Sequence, residues 1–529
     1  MESSAGKPTT GAQRLVESLI ACGVGPFFTN PGTSELHAVS AIDTSPTARG
    51  ILCLFEGVAT GAADGYGRIA GHPGGVLLHL GPGLANGMAN LHNARQAGTP
   101  MVVVVGEHGA DHLRYDSPLK SDVDSLPPFY SKQTWRLRAG DDIAAIARQA
   151  VALTRAQPTG IATIVAGADV MWSAVAAAAN SSTDAARRRV PADPAHVRAA
   201  LDALGSRQPT AVVLGRNALS QEGLQLAGAI AYATGATILS ETFNARHTRG
   251  AGVPAVQRIP YFPEQAVPFL SKFANLVLIG AKRPTSFFAS PEHPSDLVSS
   301  QSQVVAFDAG VDPLDVLRSL ASEIKAPAKV DGAVREVLTL HTGALSPGAV
   351  WAALNHFMPE GSIVSDEAGM SSRGADEAMS VAARHDWLNL TGGSIGQALS
   401  VATGAAVARP DCKVFAMQGD GGGLYTLQGL WTQAREKLNV VNVILSNGRY
   451  GILDYEAKRH GIALGAKGAS LFDLGSPSVN WVALATGFGV RAVSASTAEE
   501  FNDHLRAAIA APGPCLIEAR LSRPPSKKR

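Results

Sequence analysis

The side chains best suited to chemistry lie within residues 413–453, where a glycine-rich turn and a helical pattern separate two apolar runs. The turn is GDGGG at 419–423, and the second run ends in SNGR at 446–449. Glycines let main-chain N–H groups approach an anion closely, and a helix start favours a phosphate. Asp420, the amide oxygen of Asn447 and a main-chain carbonyl just after it would, with diphosphate oxygens, suit octahedral Mg²⁺.

The elements around these residues place them at one edge of a sheet. Residues 413–418 and 440–445 are short apolar runs, which predicts two buried strands. Residues 424–438 carry apolar side chains at helical spacing, which predicts a helix between the strands. Strands joined in this way run parallel, and the carboxyl ends of parallel strands lie at the edge where ligands bind.

The composition is typical of a large globular enzyme. The chain has 529 residues, 46% of them hydrophobic, and a net charge of +1. A charge so close to zero argues against nucleic-acid or anionic-membrane partners. The N-terminus lacks a signal-peptide pattern, and no apolar run is as long as a membrane span. The four cysteines are far apart. We therefore expect a cytoplasmic protein with free thiols.

Alternating apolar runs and helical patterns predict an α/β protein with three doubly wound parallel-sheet domains. We place a first domain at 1–180, a middle domain at 195–325 and a third domain at 345–520. The segment 180–197 is polar, rich in arginine and interrupted by two prolines, which indicates a linker, and 325–348 is predicted to be a second linker.

Glu56 lies between a predicted strand and a helix of small side chains at 57–69. A carboxylate there is also favoured simply by the helix dipole. However, the segment FEGVATGAADGYGRIAG, taken with GDGGG and SNG, resembles the thiamine diphosphate (ThDP) enzymes. The resemblance covers nearly the whole chain. It points to chains like the acetolactate synthase large subunit, with active-site features similar to those of benzoylformate decarboxylase.

The resemblance implies roles for individual residues. Glu56 would bond N1′ of the ThDP aminopyrimidine ring, and Ile395 would support the bent cofactor, although an ordinary core isoleucine is the alternative. Thr33 would contact the substrate carboxylate. His79 would transfer protons, with a core histidine as its alternative. The implied cofactor-binding residues are Pro31, Glu56, Asn86, Gly393, Ile395, Gly419, Asp420, Gly421, Gly422, Asn447 and Tyr450, and the implied metal ligands are Asp420, Asn447 and Arg449.

The chain departs from each relative at specific positions. Ser446 replaces the first Asn of the usual Asn-Asn pair. His79 stands where acetolactate synthases have a Thr or Ser-like residue, and residues 117–120 replace their Phe-Gln-Glu loop. Phe287 and Phe288 occupy the place of the second active-site His of benzoylformate decarboxylase. The middle domain lacks GxGxxG, so FAD is possible but not favoured.

These features favour a ThDP- and Mg²⁺-dependent enzyme that acts on 2-oxo acids by decarboxylation and/or carboligation through an enamine intermediate. The alternatives are a benzoylformate decarboxylase-like enzyme, a lyase of 2-hydroxyacyl or acyloin C–C bonds, and a catalytically silent regulatory subunit. Retention of Glu56, Asp420 and Asn447 argues against the silent subunit. Because the resemblance places the cofactor between subunits, and because the helix at 57–69 suits close packing, we expect a homodimer or homotetramer with shared sites.

Overall fold

Three β-sheets organise the computed structural model, which describes residues 8–175 and 190–522. Most of the predicted linker at 180–197 lies outside these residues, as does the C-terminal segment 523–529. Each sheet falls within one of the three predicted domain ranges except for a single strand. Within the described ranges, no helix combines the length and the hydropathy needed to cross a membrane.

The first sheet has six parallel strands in the order β2-β1-β3-β4-β6-β5. Its strands β3, β4 and β6 are buried throughout, as expected for a parallel sheet covered by helices on both faces. The strands are β1 Phe27–Asn30, β2 Gly50–Leu52, β3 Gly74–Leu78, β4 Met101–Glu107, β5 Gln133–Leu137 and β6 Ile161–Gly167. The helices are α1 Gly11–Ala21, α2 Leu36–Thr44, α3 Glu56–Ala70, α4 Leu80–Ala97, α5 Ile143–Arg155 and α6 Ala168–Trp172, with 3-10 turns at Thr33–Glu35, Val123–Ser125 and Pro127–Phe129.

The second sheet has five parallel strands in the order β10-β8-β7-β11-β12. Four of them coincide with the apolar runs of the sequence at 211–215, 236–240, 275–280 and 303–308. The strands are β7 Thr210–Leu214, β8 Thr237–Ser240, β10 Gln257–Arg258, β11 Asn275–Ile279 and β12 Gln303–Ala306, and β9 is His247–Arg249. The helices are α7 Pro194–Gly205, α8 Gln221–Thr234, α9 Pro263–Leu270 and α10 Pro313–Ile324, with a 3-10 turn at Arg216–Leu219.

The third sheet has seven strands in the order β17-β18-β16-β15-β13-β14-β9. Its edge strand β9 comes from the middle region and pairs antiparallel with β14, whereas the other six strands run parallel, as the predicted α/β class with parallel-sheet domains implies. The strands are β13 Ser362–Glu367, β14 His385–Asn389, β15 Val414–Gly419, β16 Val440–Ser446, β17 Arg491–Ala495 and β18 Cys515–Arg520. The helices are α11 Pro347–Phe357, α12 Ala375–Ser380, α13 Ala398–Ala408, α14 Asp420–Gly423, α15 Gly429–Arg435, α16 Gly451–Arg459, α17 Ala466–Ser470, α18 Trp481–Gly487 and α19 Ala498–Ala510, with a 3-10 turn at Gly369–Ser372.

Helix ends follow local side-chain chemistry. Asp312 precedes α10, and its carboxylate accepts a hydrogen bond from the Leu314 main-chain N–H at 3.0 Å. Pro313 occupies the first helical position, where its missing N–H costs nothing. At a helix C-terminus, α3 stops at Gly71, whose φ of +71° is readily adopted only by glycine.

The predicted helix over 424–438 is wrong in its extent. The structure has the short helix α14 before this segment and α15 within it, and the chain between them forms tight turns. The Thr426 hydroxyl donates a hydrogen bond to the Gly396 carbonyl at 2.7 Å, which fixes the turn against another part of the domain. This tertiary contact overrides the helical spacing of the apolar side chains.

The small-sided helix α3 packs directly on α13 of the same chain. A Cβ atom on Gly65 would lie 2.0 Å from the Val401 main-chain oxygen, and one on Gly404 would lie 1.7 Å from the Ala62 oxygen. One hydrophobic cluster continues from the first sheet through both helices to the third sheet. The predicted close packing is therefore present, but its partner is another domain of this chain. The argument for a subunit interface on α3 is wrong.

Candidate active site

Glu56 begins α3, and its side chain is buried with 7% of its surface exposed. The Asn86 side-chain amide donates to Glu56 Oε2 at 3.0 Å, and the Asn30 amide donates to Oε1 at 3.4 Å. These two donors come from the carboxyl end of β1 and from α4. Two amide groups therefore hold the carboxylate, and Asn86 positions Glu56.

His79 lies at the carboxyl end of β3, where it forms a hydrogen-bond contact that the sequence did not predict. Its Nδ1 is 2.7 Å from Oε2 of Glu35, and the same oxygen accepts the Gly32 N–H at 3.0 Å. Glu35 is only 2% exposed. Burial raises the pKa of Glu35, and the neighbouring His79 ring lowers it in part. With Nδ1 engaged, Nε2 is the ring nitrogen suited to proton exchange.

The segment from Asn30 to Glu35 brings the predicted substrate-binding residues to this place. Thr33 starts the 3-10 turn, and both Thr33 and Pro31 are exposed. A Cβ atom on Gly32 would lie 2.3 Å from the His79 ring, so glycine is needed for the segment to pass the histidine. The only signal for Glu35 in the sequence is its spacing of three residues from Gly32, which permits a capping contact.

Asp420 forms the centre of the third-domain group. It follows β15, which pairs in parallel with β16, so the two strand ends are adjacent. Its carboxylate accepts main-chain hydrogen bonds from Gly421 at 3.0 Å, Asn447 at 3.1 Å and Gly448 at 2.7 Å. Burial raises the pKa of Asp420, while the N–H donors lower it in part. The structure thus brings together the two motifs that the sequence predicted to meet.

The donor set fits a hard cation with a diphosphate. The Asn447 amide oxygen accepts the Arg449 N–H at 2.8 Å, and the Arg449 carbonyl accepts the Gly451 N–H at 2.9 Å. Amide and main-chain carbonyl oxygens are hard ligands of the kind that Mg²⁺ takes. The Arg449 guanidinium pairs with Asp454, so a metal would use only the main chain of Arg449. In the described ranges, no group of three His, Cys, Asp or Glu residues is arranged to hold a metal. A cation bound here would therefore be coordinated by the Asp420 carboxylate, by neutral oxygens and by the oxygens of a diphosphate.

The glycines of the GDGGG turn are surrounded closely. A Cβ atom on Gly421 would lie 2.2 Å from the Tyr450 ring, and one on Gly422 would lie 2.2 Å from Oε1 of Glu367. Only glycine leaves room here, which is the property required where a backbone cradles a phosphate. Gly419 adjoins the same turn as the residue before α14.

Glu367 is a second buried carboxylate beside the glycine turn, and nothing in the sequence signalled its contacts. It ends β13, and it accepts main-chain hydrogen bonds from Gly396 at 2.7 Å, Gln397 at 2.6 Å and Ala398 at 2.9 Å. Burial raises the pKa of Glu367, whereas these N–H donors lower it in part. Because Glu367 also contacts Gly422, it ties the 391–396 loop to the glycine turn.

Two glycines in the left-handed region of backbone conformation flank Ile395 in the 391–396 loop. Gly393 has a φ of +73° and Gly396 a φ of +97°, values that L side chains rarely adopt. Ile395 lies half-buried between them. On the first-domain side, Asn90 donates to the Gly57 carbonyl at 2.8 Å and to the Gly396 carbonyl at 3.5 Å. The loop is therefore connected to the start of α3 within one chain.

Comparisons with known proteins agree with this geometry. The model of the thiamine pyrophosphate enzyme N-terminal TPP binding domain matches residues 9–126, and the C-terminal TPP binding domain model matches residues 367–519. The IlvX protein of Mycobacterium tuberculosis, whose name assigns it provisionally to the acetolactate synthase large subunits, is 47% identical over 96% of this chain and 98% of its own. Benzoylformate decarboxylase of Pseudomonas aeruginosa is 26% identical over 94% of this chain and 96% of its own.

The fold has solved counterparts. The ThDP-dependent 4-hydroxybenzoylformate decarboxylase of Rhodococcus jostii superposes with a TM-score of 0.85 at 24% identity, covering 98% of this chain and 100% of that one. Benzoylformate decarboxylase of Polynucleobacter necessarius gives a TM-score of 0.83 at 18% identity, covering 97% and 99% of the two chains. With its matched TPP binding domains and a relative of nearly full length, the chain belongs to the thiamine pyrophosphate enzyme family.

Proposed function

We propose that this protein binds ThDP and Mg²⁺ and acts on 2-oxo acids, by decarboxylation and/or carboligation. The observation that carries the proposal is Asp420, a buried carboxylate bonded to both strand-end motifs beside glycines that tolerate no side chain. Asp420, Asn447 and the Arg449 carbonyl would hold the metal, and the 419–423 backbone would hold the diphosphate. Tyr450 and the Gly393–Ile395 segment would flank the cofactor.

The protein's own residues would position and move protons. When bound, ThDP supplies the carbon nucleophile and the electron sink for the reaction. Glu56, held by Asn30 and Asn86, would bond the aminopyrimidine ring and keep a proton available there. The Thr33 hydroxyl would donate to the substrate carboxylate. His79, fixed through Nδ1 by Glu35, would exchange a proton with the substrate at Nε2.

A benzoylformate decarboxylase-like activity is the main alternative to an acetolactate synthase-like carboligase. The contact between Glu35 and His79 supports this alternative, because a histidine oriented by a buried carboxylate suits protonation of a product. A lyase of acyloin C–C bonds would use the same groups in the reverse direction. A catalytically silent subunit is disfavoured, because Glu56, Asp420 and Asn447 all keep the contacts that their proposed roles require.

For the middle domain we propose that no FAD binds. The support is Glu241, whose Oε1 accepts the Lys282 N–H at 2.6 Å at the carboxyl end of the second sheet. A Cβ atom on Gly215 would lie 2.7 Å from the other oxygen of this carboxylate. A half-buried acidic group at this edge would stand where a dinucleotide phosphate needs N–H donors.

For the assembly we propose at least a homodimer with shared sites. Glu56 is held by residues of the first domain and Asp420 by residues of the third domain, so each group is complete by itself. Among the residues that the structure describes, helix α16 has no buried side chain, although it follows Tyr450 directly. A second copy of the chain covering α16 would bring the Glu56 group of one subunit to the Asp420 group of the other.

The decisive experiment is product analysis over a panel of 2-oxo acids, with and without an acceptor aldehyde. We expect CO₂ release that requires both ThDP and Mg²⁺. An aldehyde product would identify a decarboxylase, and a 2-hydroxyketone or acetohydroxy acid would identify a carboligase. The Asp420→Ala protein is the matched control and should release no CO₂ above background. If the wild-type protein binds the cofactor and transforms none of the acids or acyloins, the proposal is wrong.

A further inference from the structure

We propose that five aromatic side chains of the middle region form a binding surface for the substrate's substituent and select 2-oxo acids with an aromatic or large apolar group. We call this surface the aromatic wall. It comprises Phe243, Tyr261, Phe262, Phe287 and Phe288. The inference deepens the proposed 2-oxo acid chemistry and rests on it, because it assigns the substrate class to the same site.

The aromatic wall is a continuous set of ring contacts. Phe287 lies at its centre, with ring centroids 5.5 Å from Phe243, 5.7 Å from Tyr261 and 4.8 Å from Phe288. Tyr261 in turn lies 4.8 Å from Phe262. The rings meet at steep angles, the arrangement that aromatic groups favour. Phe287 is nonetheless 42% exposed and Phe288 69% exposed, so the wall presents apolar surface outward.

The wall touches the candidate site at two points. At one end, a Cβ atom on Gly393 would lie 2.4 Å from the Phe287 ring, so this ring packs on the loop that contains Ile395. At the other end, Phe262 lies 4.9 Å from Tyr455 on α16, the helix that follows Tyr450. The wall therefore spans the space between the two segments proposed to flank the cofactor.

Contacts with α16 hold the Phe262 end of the wall in place, and a cleft lies beside its Phe287 end. The Arg459 guanidinium of α16 bonds Glu264 at 3.1 Å and lies 5.7 Å from the centre of the Phe262 ring. A cleft of about 330 Å³ adjoins the wall and the loop. Its lining includes Phe243, Tyr261 and Phe287 of the wall, Thr391 and Gly392 of the loop, and the charged Glu241, Lys282 and Arg283. This volume is at the lower end of the range for small-molecule sites.

The chemistry of the wall distinguishes between classes of 2-oxo acid. An aryl substituent would bury a large apolar area against Phe287 and could meet the ring edges favourably. The methyl group of pyruvate would bury little area and leave the rings exposed to water. The wall carries no carboxylate, imidazole or amine, and burial raises the pKa of its one phenol, Tyr261, so it would contribute apolar contact and leave proton exchange to His79.

The experiment compares benzoylformate with pyruvate on the holoenzyme reconstituted with ThDP and Mg²⁺. We expect a higher kcat/KM for benzoylformate, and we expect Phe287→Ala to lower the benzoylformate-to-pyruvate ratio by about 10- to 100-fold. Phe287→Leu, which keeps apolar contact, should recover part of the ratio. Tyr232→Ala is the matched control, because this tyrosine of the same domain is 79% exposed on α8, and it should change nothing.

Binding of the two acids, followed by saturation-transfer NMR, gives a readout that does not need turnover. An unchanged ratio and unchanged binding preference in Phe287→Ala and Phe288→Ala would overturn the inference, as would a wild-type preference for pyruvate. A change of oligomeric state in light scattering, without a change in preference, would make the wall a contact between chain copies and also overturn it. If neither acid is turned over but benzoylformate binds in a Phe287-dependent manner, the proposed reaction fails and the apolar site stands.

Discussion

The Glu35 carboxylate lies 2.7 Å from Nδ1 of His79, although 44 residues separate them in the chain. Glu35 belongs to the 3-10 turn after β1, and His79 directly follows β3, the neighbouring strand. The parallel sheet therefore joins an acid and a base at its carboxyl edge. In the buried position of Glu35, this contact fixes which nitrogen of His79 is available for chemistry.

Replacement of Glu35 should change how stability depends on pH. Burial raises the pKa of Glu35 in the folded state, so its contribution to the free energy of unfolding is present at low pH and is lost as the pH rises through the raised value. Gln cannot ionise. We therefore expect the melting temperature of Glu35→Gln, relative to wild type, to increase from about pH 4 to about pH 7. Glu17→Gln, at an exposed position of α1, is the control. A pH-independent difference would contradict the expectation.

Glu56→Gln should retain ThDP but lose most of the activity. Gln can accept or donate a hydrogen bond but cannot exchange a proton with the ring, so exchange of the cofactor C2 proton should slow by at least about 100-fold in NMR measurements. Asn86→Ala removes one donor to Glu56 and should give a smaller loss of exchange rate. Wild-type exchange in Glu56→Gln would remove this residue from the mechanism.

Asp420→Ala should abolish cofactor retention. It removes the carboxylate of the proposed metal site and leaves Mg²⁺-diphosphate held by neutral groups. In calorimetric titrations with ThDP and Mg²⁺, we expect affinity to fall at least about 100-fold, or about 2.7 kcal/mol. Asp411→Ala, which removes an exposed partner of Arg409 in the same domain, should bind as wild type does. Equal affinity of the Asp420→Ala protein would show that the metal assignment is wrong.

The contact between α3 and α13 should tolerate no added methyl group. Gly404→Ala would place Cβ 1.7 Å from the Ala62 main-chain oxygen, so one of the two helices must shift. We expect a loss of about 1 to 3 kcal/mol in the free energy of unfolding, measured by urea denaturation. In Gly205→Ala the new atom meets nothing within 4 Å, so this control should be neutral or slightly stabilising. Equal stability of the two variants would argue against the packing.

Subunit mixing tests the shared site. Glu56→Gln and Asp420→Ala proteins should each be inactive, whereas a mixture made after partial dissociation should regain activity. One site in each mixed dimer would receive an intact Glu56 from one chain and an intact Asp420 from the other. Mixed dimers are to be confirmed by native mass spectrometry with one chain isotopically labelled. If exchange occurs and no activity returns, or if an active monomer is observed by light scattering, the sites are not shared.

The sequence predicted most of what depends on neighbouring residues. The apolar runs at 413–418 and 440–445 became parallel strands, and the motifs at their ends meet through the main-chain bonds of Asp420. The small side chains after Glu56 correctly indicated close packing. They did not indicate the partner, because a glycine face fits any close helix, and the structure selected α13 of the same chain rather than a second subunit.

The sequence by itself determined the strand-end motifs, the α/β class and the family, because these follow from local spacing and residue type. Only the tertiary structure decided that Glu35 orients His79 and that Glu367 ties Gly396 to Gly422. It also added β9 antiparallel to the third sheet. These contacts join positions far apart in the chain, and no periodic pattern encodes them. The contacts of Glu35 and Glu367 arise because parallel strands bring distant carboxyl ends to one edge of a sheet.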